Sequence, residues 1–426
     1  MLIRFGVENH KSISNQQEIS LVPSSSLKDS KRHLVPCTAS PLGALLPAGI
    51  VYGPNASGKS NLINAFQFMK RAVLFSHTQG DASSGVPRTP FSLSERSRTG
   101  PSRFDVDFVQ DGIRYHFGFT ATSDEFESEW LYAYPRNRPQ KLYERRNPKE
   151  IDFGRGLKGK NKVISELMRP NSLFISVAVQ NNHEQLSSIA TFFEQMNGTS
   201  AVSIGGRWIS NRFCDSNIDE RTILFLKELG TGIVSFRRKQ REISPSEIRL
   251  DSELKSLASK LSSEAVSLEF KGTPPSIFEL AHLDDLGENV YFDPDDESAG
   301  TRRLLVVVNA AFRAIDHGAL LLLDEIDASL HTQACEAILG LFANRDLNLK
   351  GAQLLATTHD TNLMRSPLLR RDQIWFTEKD TAGSTVVYPL SDIETRRGDN
   401  LEKGYLQGRF GAIPFAGAID ALIARL

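Results

Sequence analysis

Two periods of apolar residues run through this chain, and they predict two kinds of sheet. Residues 103–110 (RFDVDFVQ), 113–121 (IRYHFGFTA), 128–135 (SEWLYAYP) and 141–146 (KLYERR) alternate apolar or aromatic side chains with polar ones. That is the period of strands with one buried face, and it predicts an antiparallel sheet. Residues 2–7 (LIRFGV) and 18–22 (EISLV) predict two further short strands joined by a turn at Lys11–Asn15. By contrast, 48–52 (AGIVY) and 320–323 (LLLL) are unbroken apolar runs; the second has the composition of a central parallel strand covered on both faces. Helical spacing appears over 61–70, 183–197, 218–230 and 246–264. The last of these has leucines with charges between them and reads as an amphipathic arm packed on its own domain. Residues 172–180 (SLFISVAVQ) are one more apolar segment, and 265–292 return to strand character. Ser24–Lys31 read as a polar loop, and 76–103, rich in Ser, Gly, Pro and Arg, as a mobile one.

The chemistry sits between these elements. Residues 53–60 read GPNASGKS, a complete G-x-x-x-x-G-K-[ST] phosphate loop between a strand and a helix. Backbone N–H groups of such a loop, with the helix N-terminus behind them, cradle phosphate oxygens. Gly53, Asn55, Gly58, Lys59, Ser60 and Asn61 are thus the candidates for contact with a nucleoside triphosphate, Lys59 reaching the β/γ-phosphates and Ser60 ligating Mg²⁺. The run 320–325 (LLLLDE) ends in two adjacent carboxylates. Asp324 is expected to hold Mg²⁺, and Glu325 to orient and deprotonate the attacking water. Asp327, in the IDASLH that follows, joins the nucleotide-binding candidates. Upstream, SAGTR (298–302) places Ser298 and Gly300 in a polar turn at a helix start, a second anion-binding surface. Downstream, AQLLATTHD (352–360) puts His359 at a strand end, where it is expected to meet the γ-phosphate and Glu325.

Composition narrows the setting. At 426 residues, with apolar content of 40% and charged content of 24%, the chain reads as an ordinary globular protein of two or three domains, or of one domain with a large insertion. Lys+Arg 50 against Asp+Glu 51 gives no global basic bias, so contact with nucleic acid would need local patches. Two exist: 136–162, with ten Lys/Arg against three Asp/Glu, and 237–241 (RRKQR). They read first as a solvated hairpin and a helix terminus, with phosphate contacts as the alternative. The start has no apolar stretch of a secretory signal, no run spans a bilayer, and Cys37, Cys214 and Cys335 have no metal spacing. A reducing cytoplasm without membrane contact is the expected location.

With order and spacing taken together, FGVENHKSIS, GPNASGKSNLINAF, SAGTRRLL, LLLLDEIDASLH, AQLLATTHDTNLM and YLQGRFGAIP resemble an ABC-type ATPase head of the SMC/RecF/OLD branch. The subgroup resembled is the stand-alone "AAA family" ATPases of bacterial anti-phage systems, the RloA/PARIS-type subunits without a Toprim domain. The resemblance implies an α/β fold: a P-loop head with a mixed sheet core and an antiparallel β subdomain, plus a mainly helical insertion. It places an N-terminal lobe at 1–165, the insertion at 166–290 and a C-terminal lobe at 291–426. It implies that Lys11, in N-x-[KR]-S, contacts phosphate and that Ser298 is the signature serine, in SAGTR where transporters carry LSGGQ. Ala328–His331 map onto the D-loop, and Gln180 onto the Q-loop glutamine that touches Mg²⁺ and nucleotide. It also implies ATP and Mg²⁺ as cofactors, and a head-to-head homodimer or higher even-numbered oligomer. Relatives that cut DNA append a Toprim domain; no acidic cluster suited to two metals follows His359 here. The chain therefore reads as a sensor or scaffold for a separate effector, a nuclease or toxin, with a RecF-like DNA-binding repair protein as the alternative.

Overall fold

The computed structural model describes residues 1–200, 218–240, 276–396 and 398–412, apart from positions 26, 28–32, 38, 40 and 149. The expected helix at 246–264 and Cys214 lie outside the described residues. The chain divides into two compact units, one made of Met1–Ala201 with Ala310–Leu426, the other of Val202–Asn309.

The alternating segments of the first unit form one antiparallel sheet. Its strands are β1 (Leu2–Glu8), β2 (Gln17–Ser20), β6 (Ser102–Gln110), β7 (Ile113–Ala121), β8 (Phe126–Ala133), β9 (Gln140–Asn147) and β10 (Glu150–Phe153), in the order β10-β9-β8-β7-β6-β1-β2. One face turns Phe104, Phe108, Phe117 and Phe119 into the core. There they meet Phe68 of the helix Lys59–Phe75, whose ring lies 4.8 Å from that of Phe104, and Phe192 of the helix Glu184–Gln195, stacked 4.3 Å from Phe108. Each buried phenylalanine contributes about 1.5–3 kcal/mol. A two-stranded ribbon, β3 (Val35–Pro36) with β4 (Ala44–Leu45), accompanies this sheet.

The unbroken apolar runs form a second, mixed sheet: β11 (Asn197–Ser200), β15 (Leu320–Asp324), β16 (Gln353–Thr357), β5 (Ala48–Tyr52), β17 (Ile374–Lys379) and β18 (Thr385–Pro389), in that spatial order. All pairs are parallel except β17 with β18. The architecture is α/β, as expected. β16 lies between β5 and β15, with Thr357 beside Val51 and Ala356 beside Leu323. The ends of three parallel strands thus converge on the loop after β5, in the crevice where open α/β sheets place ligands. The strand β11 has no apolar signal in its sequence, NGTS.

In the second unit, the helix Glu220–Glu228 is capped by Asp219, which accepts from the Arg221 N–H. Three antiparallel strands follow: β12 (Ser235–Gln240), β13 (Ser276–Leu283) and β14 (Asn289–Phe292). Residues 237–240 of the basic RRKQR run lie in β12 and not at a helix terminus. Arg237 pairs with Glu279 and its guanidinium covers the Tyr291 ring at 3.7 Å, so cross-strand contacts hold this segment extended. Among the described residues no helix is long and apolar enough to cross a membrane.

Candidate nucleotide site

The helix Lys59–Phe75 starts without a side-chain cap and without an acid in its first turn. Its first N–H groups are thereby left open, as an anion site requires. Gly58, at the cap, has φ 110°, and a Cβ there would lie 2.1 Å from Thr385 Oγ1; one at Gly53 would lie 2.4 Å from the Thr377 carbonyl. Both positions therefore demand glycine. Ser57 is buried, whereas Asn55 stands exposed at the loop tip. Lys59 is buried and turns into the loop, donating to the carbonyls of Gly53 at 2.8 Å and Pro54 at 3.0 Å. Burial lowers its pKa to about 8, against the pull of Asp324, Glu325 and Asp327. Those carbonyls hold the ammonium in the place where it would meet phosphate oxygens.

Across the crevice, Ser60 Oγ donates to Asp324 Oδ1 at 3.1 Å. The same oxygen accepts from the Thr357 hydroxyl at 2.7 Å. Glu325 follows with φ 53°, a left-handed conformation costly for a residue with a Cβ, and its N–H donates to Thr357 Oγ1 at 2.8 Å. Asp327 accepts from the His359 N–H with both carboxylate oxygens at 3.2 Å. His359 is held below the usual imidazole range, first by burial and then by the charge of Lys59; its ring is neutral at pH 7. Lys59, Ser60, Asp324, Glu325, Asp327 and His359 are thus brought together from three strand ends.

Lys11 has φ 50° and donates its N–H to the Thr89 carbonyl at 2.7 Å. With Asn61, Phe91 and Lys379 it lines a cavity of about 330 Å³ beside the first turn of the phosphate-loop helix. Gln180 stands exposed at the end of the helix Phe174–Gln180 and makes no hydrogen bond to the loop among the described residues. A larger cavity, about 850 Å³ and walled by Tyr115, Val163, Leu167 and His183, contains none of the residues expected at the nucleotide, though Lys158 and Lys160 of the basic stretch line it. Ser298 and Gly300 belong to the second unit. There Ser298 Oγ accepts from the Thr301 N–H at 3.1 Å, as the N-cap of the helix Ala299–His317.

Of the basic stretch 136–162, Arg145 is buried and donates to the Ser172 carbonyl at 2.8 Å, while Lys141 pairs with Asp152. Arg145 is thereby shut away from any phosphate in solution.

Sequence reading missed the hydroxyls that support the loop: Ser12, Ser57, Thr357, Thr377 and Thr385. Thr357 is the first threonine of TTHD and Ser12 closes NHKS, so their motifs contained a signal. Thr377 and Thr385 read only as strand formers.

The donor set fits Mg²⁺ and a triphosphate. Mg²⁺ commonly takes one or two carboxylates and completes its octahedron with phosphate oxygens and water. Ser60 and Asp324 offer such a pair, and no cluster of three or more His, Cys, Asp or Glu able to cage a metal occurs among the described residues.

A family model described as "AAA domain, putative AbiEii toxin, Type IV TA system" matches residues 50–365. No curated protein matches the chain. Among solved structures, the SMC head domain from Thermotoga maritima is similar at a TM-score of 0.40 and 14% identity, covering 92% of this chain and 99% of that one. A likeness at that level carries no argument.

Proposed function

The chain belongs to the family described as "AAA domain, putative AbiEii toxin, Type IV TA system", and on that premise we propose that it binds and hydrolyses ATP and in doing so controls a separate effector. The observation that carries this reading is the meeting of Ser60 with Asp324 at 3.1 Å, beside a glycine cradle and the Lys59 ammonium. Gly53, Gly58 and the open helix N-terminus bind the phosphates; Asn55 and Asn61 flank them. Lys59 exchanges its two carbonyl partners for β/γ-phosphate oxygens. Ser60 and Asp324 would hold Mg²⁺, which when bound supplies neutralisation of the charge on the transferred phosphoryl group. Glu325, at the strand end, takes the proton of the attacking water. His359, neutral and held by Asp327, donates a hydrogen bond to the γ-phosphate.

Two copies join head to head on ATP. Ser298 and Gly300 of one copy contact the nucleotide held by the other, and loss of the γ-phosphate releases them. The family description speaks of a toxin and a type IV TA system, which supports a partner of toxin or nuclease chemistry in a cytoplasmic defence role. The test is Glu325→Gln. That variant binds ATP, turns over ~10²–10⁴-fold more slowly, and accumulates dimers in light scattering with ATP and Mg²⁺. Unchanged turnover sinks the assignment; degradation of DNA or RNA by the purified protein alone sinks the separate effector.

A further inference from the structure

The hairpin β17–β18 packs against the back of the phosphate-binding loop. Thr385 is fully buried, and its Oγ1 donates to the Ser57 carbonyl at 2.7 Å. Its single proton is spent there, so the Ser12 hydroxyl, 2.8 Å away, donates to Thr385. Ser12 in turn accepts from Asn61 Nδ2 at 2.6 Å, and Lys379 Nζ donates to Thr385 at 3.1 Å. The chain of donors runs one way, from Asn61 through Ser12 to Thr385 and on to the Ser57 carbonyl, so each bond polarises the next.

The backbone shows what this does. A trans peptide is planar, with its C=O and N–H pointing in opposite directions. Holding the Ser57 C=O toward Thr385 aims the Gly58 N–H away from it, into the loop. No acceptor among the described residues takes up that N–H. The hairpin itself is fixed: Asp380 Oδ1 accepts from the N–H groups of Ala382 at 2.9 Å and Ser384 at 2.8 Å, and the Thr385 N–H donates to the Ser12 carbonyl at 2.7 Å.

We propose that Thr385 is a positioning residue for the nucleotide site: its hydroxyl orients the Ser57–Gly58 peptide so that the Gly58 N–H faces phosphate. This rests on the nucleotide reading above and adds a residue from a hairpin outside every motif. The effect falls on binding of phosphate, in ATP and ADP alike, and not on water activation at Glu325. Titration of ADP·Mg²⁺ and ATP·Mg²⁺ by calorimetry, with steady-state turnover, tests it in the wild type, Thr385→Val, Thr385→Ala and Thr385→Ser. The expected result is a ~10-fold or greater rise in Kd and KM for Val and Ala, from loss of the buried hydrogen bond that holds the Ser57 carbonyl and of the donors behind it. The same variants keep kcat within about threefold, and Ser restores affinity because the hydroxyl alone is at issue. Wild-type affinity in folded T385V, or a fall in kcat with KM unchanged, overturns the proposal. So does loss of folding in both Val and Ala, which makes the hydroxyl a packing group. A wild-type protein that binds neither nucleotide refutes the ATPase reading instead, an outcome distinct from the others.

Discussion

The Thr357 hydroxyl donates to Asp324 Oδ1 at 2.7 Å while accepting from the Glu325 N–H at 2.8 Å. One buried threonine on β16 thus holds the Asp324 carboxylate and the Glu325 backbone at the end of β15. Glu325 needs the tether, because its φ of 53° is a conformation that persists only when surroundings over-determine it. Thr357→Val keeps the volume and removes both bonds. Turnover is expected to fall ~10–100-fold, the usual cost of losing a group that orients a metal ligand. Thr357→Ser should keep most of it, and both variants should melt close to wild type. If Val and Ser retain equal activity, the orienting role is wrong.

Lys59 gives the site a pH dependence of defined sign. Its pKa in the free protein is lowered to about 8, whereas phosphate oxygens around the ammonium raise it on binding. Below pH 8 the amine already carries its proton. Above it, binding must take up a proton, so ATP affinity should weaken by up to ~10-fold per pH unit from about 8 toward 10. Stability moves the other way. The unfolded lysine binds protons more tightly than the buried one, so stability rises across the same window. Calorimetric titration of ATP·Mg²⁺ at pH 7, 8 and 9 checks the first statement, and Lys59→Met should bind weakly with no such slope.

Much of this was legible in the sequence, for reasons that differ by element. The antiparallel sheet announced itself because Phe104, Phe108, Phe117 and Phe119 alternate with polar residues on a sheet with one buried face. The phosphate loop and the carboxylates after β15 were legible because their chemistry needs fixed residue types at fixed spacing. What escaped was support supplied from far along the chain. Thr385 meets Ser57 across more than 300 positions, and nothing local to a threonine in a strand reports such a partner. Gln180 followed an apolar run as expected, yet the run is a helix that ends with the glutamine in solvent.

That helix, Phe174–Gln180, is held at its start by a buried carboxylate. Glu129 accepts from the N–H groups of Phe174 at 2.6 Å and Ile175 at 3.1 Å and from the Tyr143 hydroxyl at 2.7 Å. Burial pushes its carboxyl above the usual range, with Arg145 pulling it back. Arg145→Met removes the positive charge that offsets Glu129 and the donor to the Ser172 carbonyl, and is expected to cost about 1–3 kcal/mol in urea unfolding at pH 7. The deficit should shrink as pH falls, because protonation of Glu129 removes the buried charge. The double variant Glu129→Gln with Arg145→Met should recover part of the loss, and a deficit independent of pH would show that packing, not charge, is responsible.

The segment 76–103, read from composition as mobile, is anchored in the structure by Asn9. Its Nδ2 donates to the carbonyls of Ser97 at 2.7 Å and of Gly100 and Pro101 at 3.0 Å, and its Oδ1 accepts from the Phe91 N–H at 2.9 Å. Asparagine suits the place twice over: it carries both donor and acceptor, and it tolerates the φ of 53° found there. Asn9→Ala strands these groups in a buried setting and should cost about 2–3 kcal/mol. Asn9→Asp should cost more, since it turns an anion toward three carbonyl oxygens. Released from Asn9, the segment should also open to trypsin at Arg88, Arg96 and Arg98, where the wild type is expected to be cut more slowly. Equal resistance in Asn9→Ala would mean that the segment is held by Arg88, whose guanidinium donates to the Gly100 carbonyl at 2.7 Å, and not by Asn9.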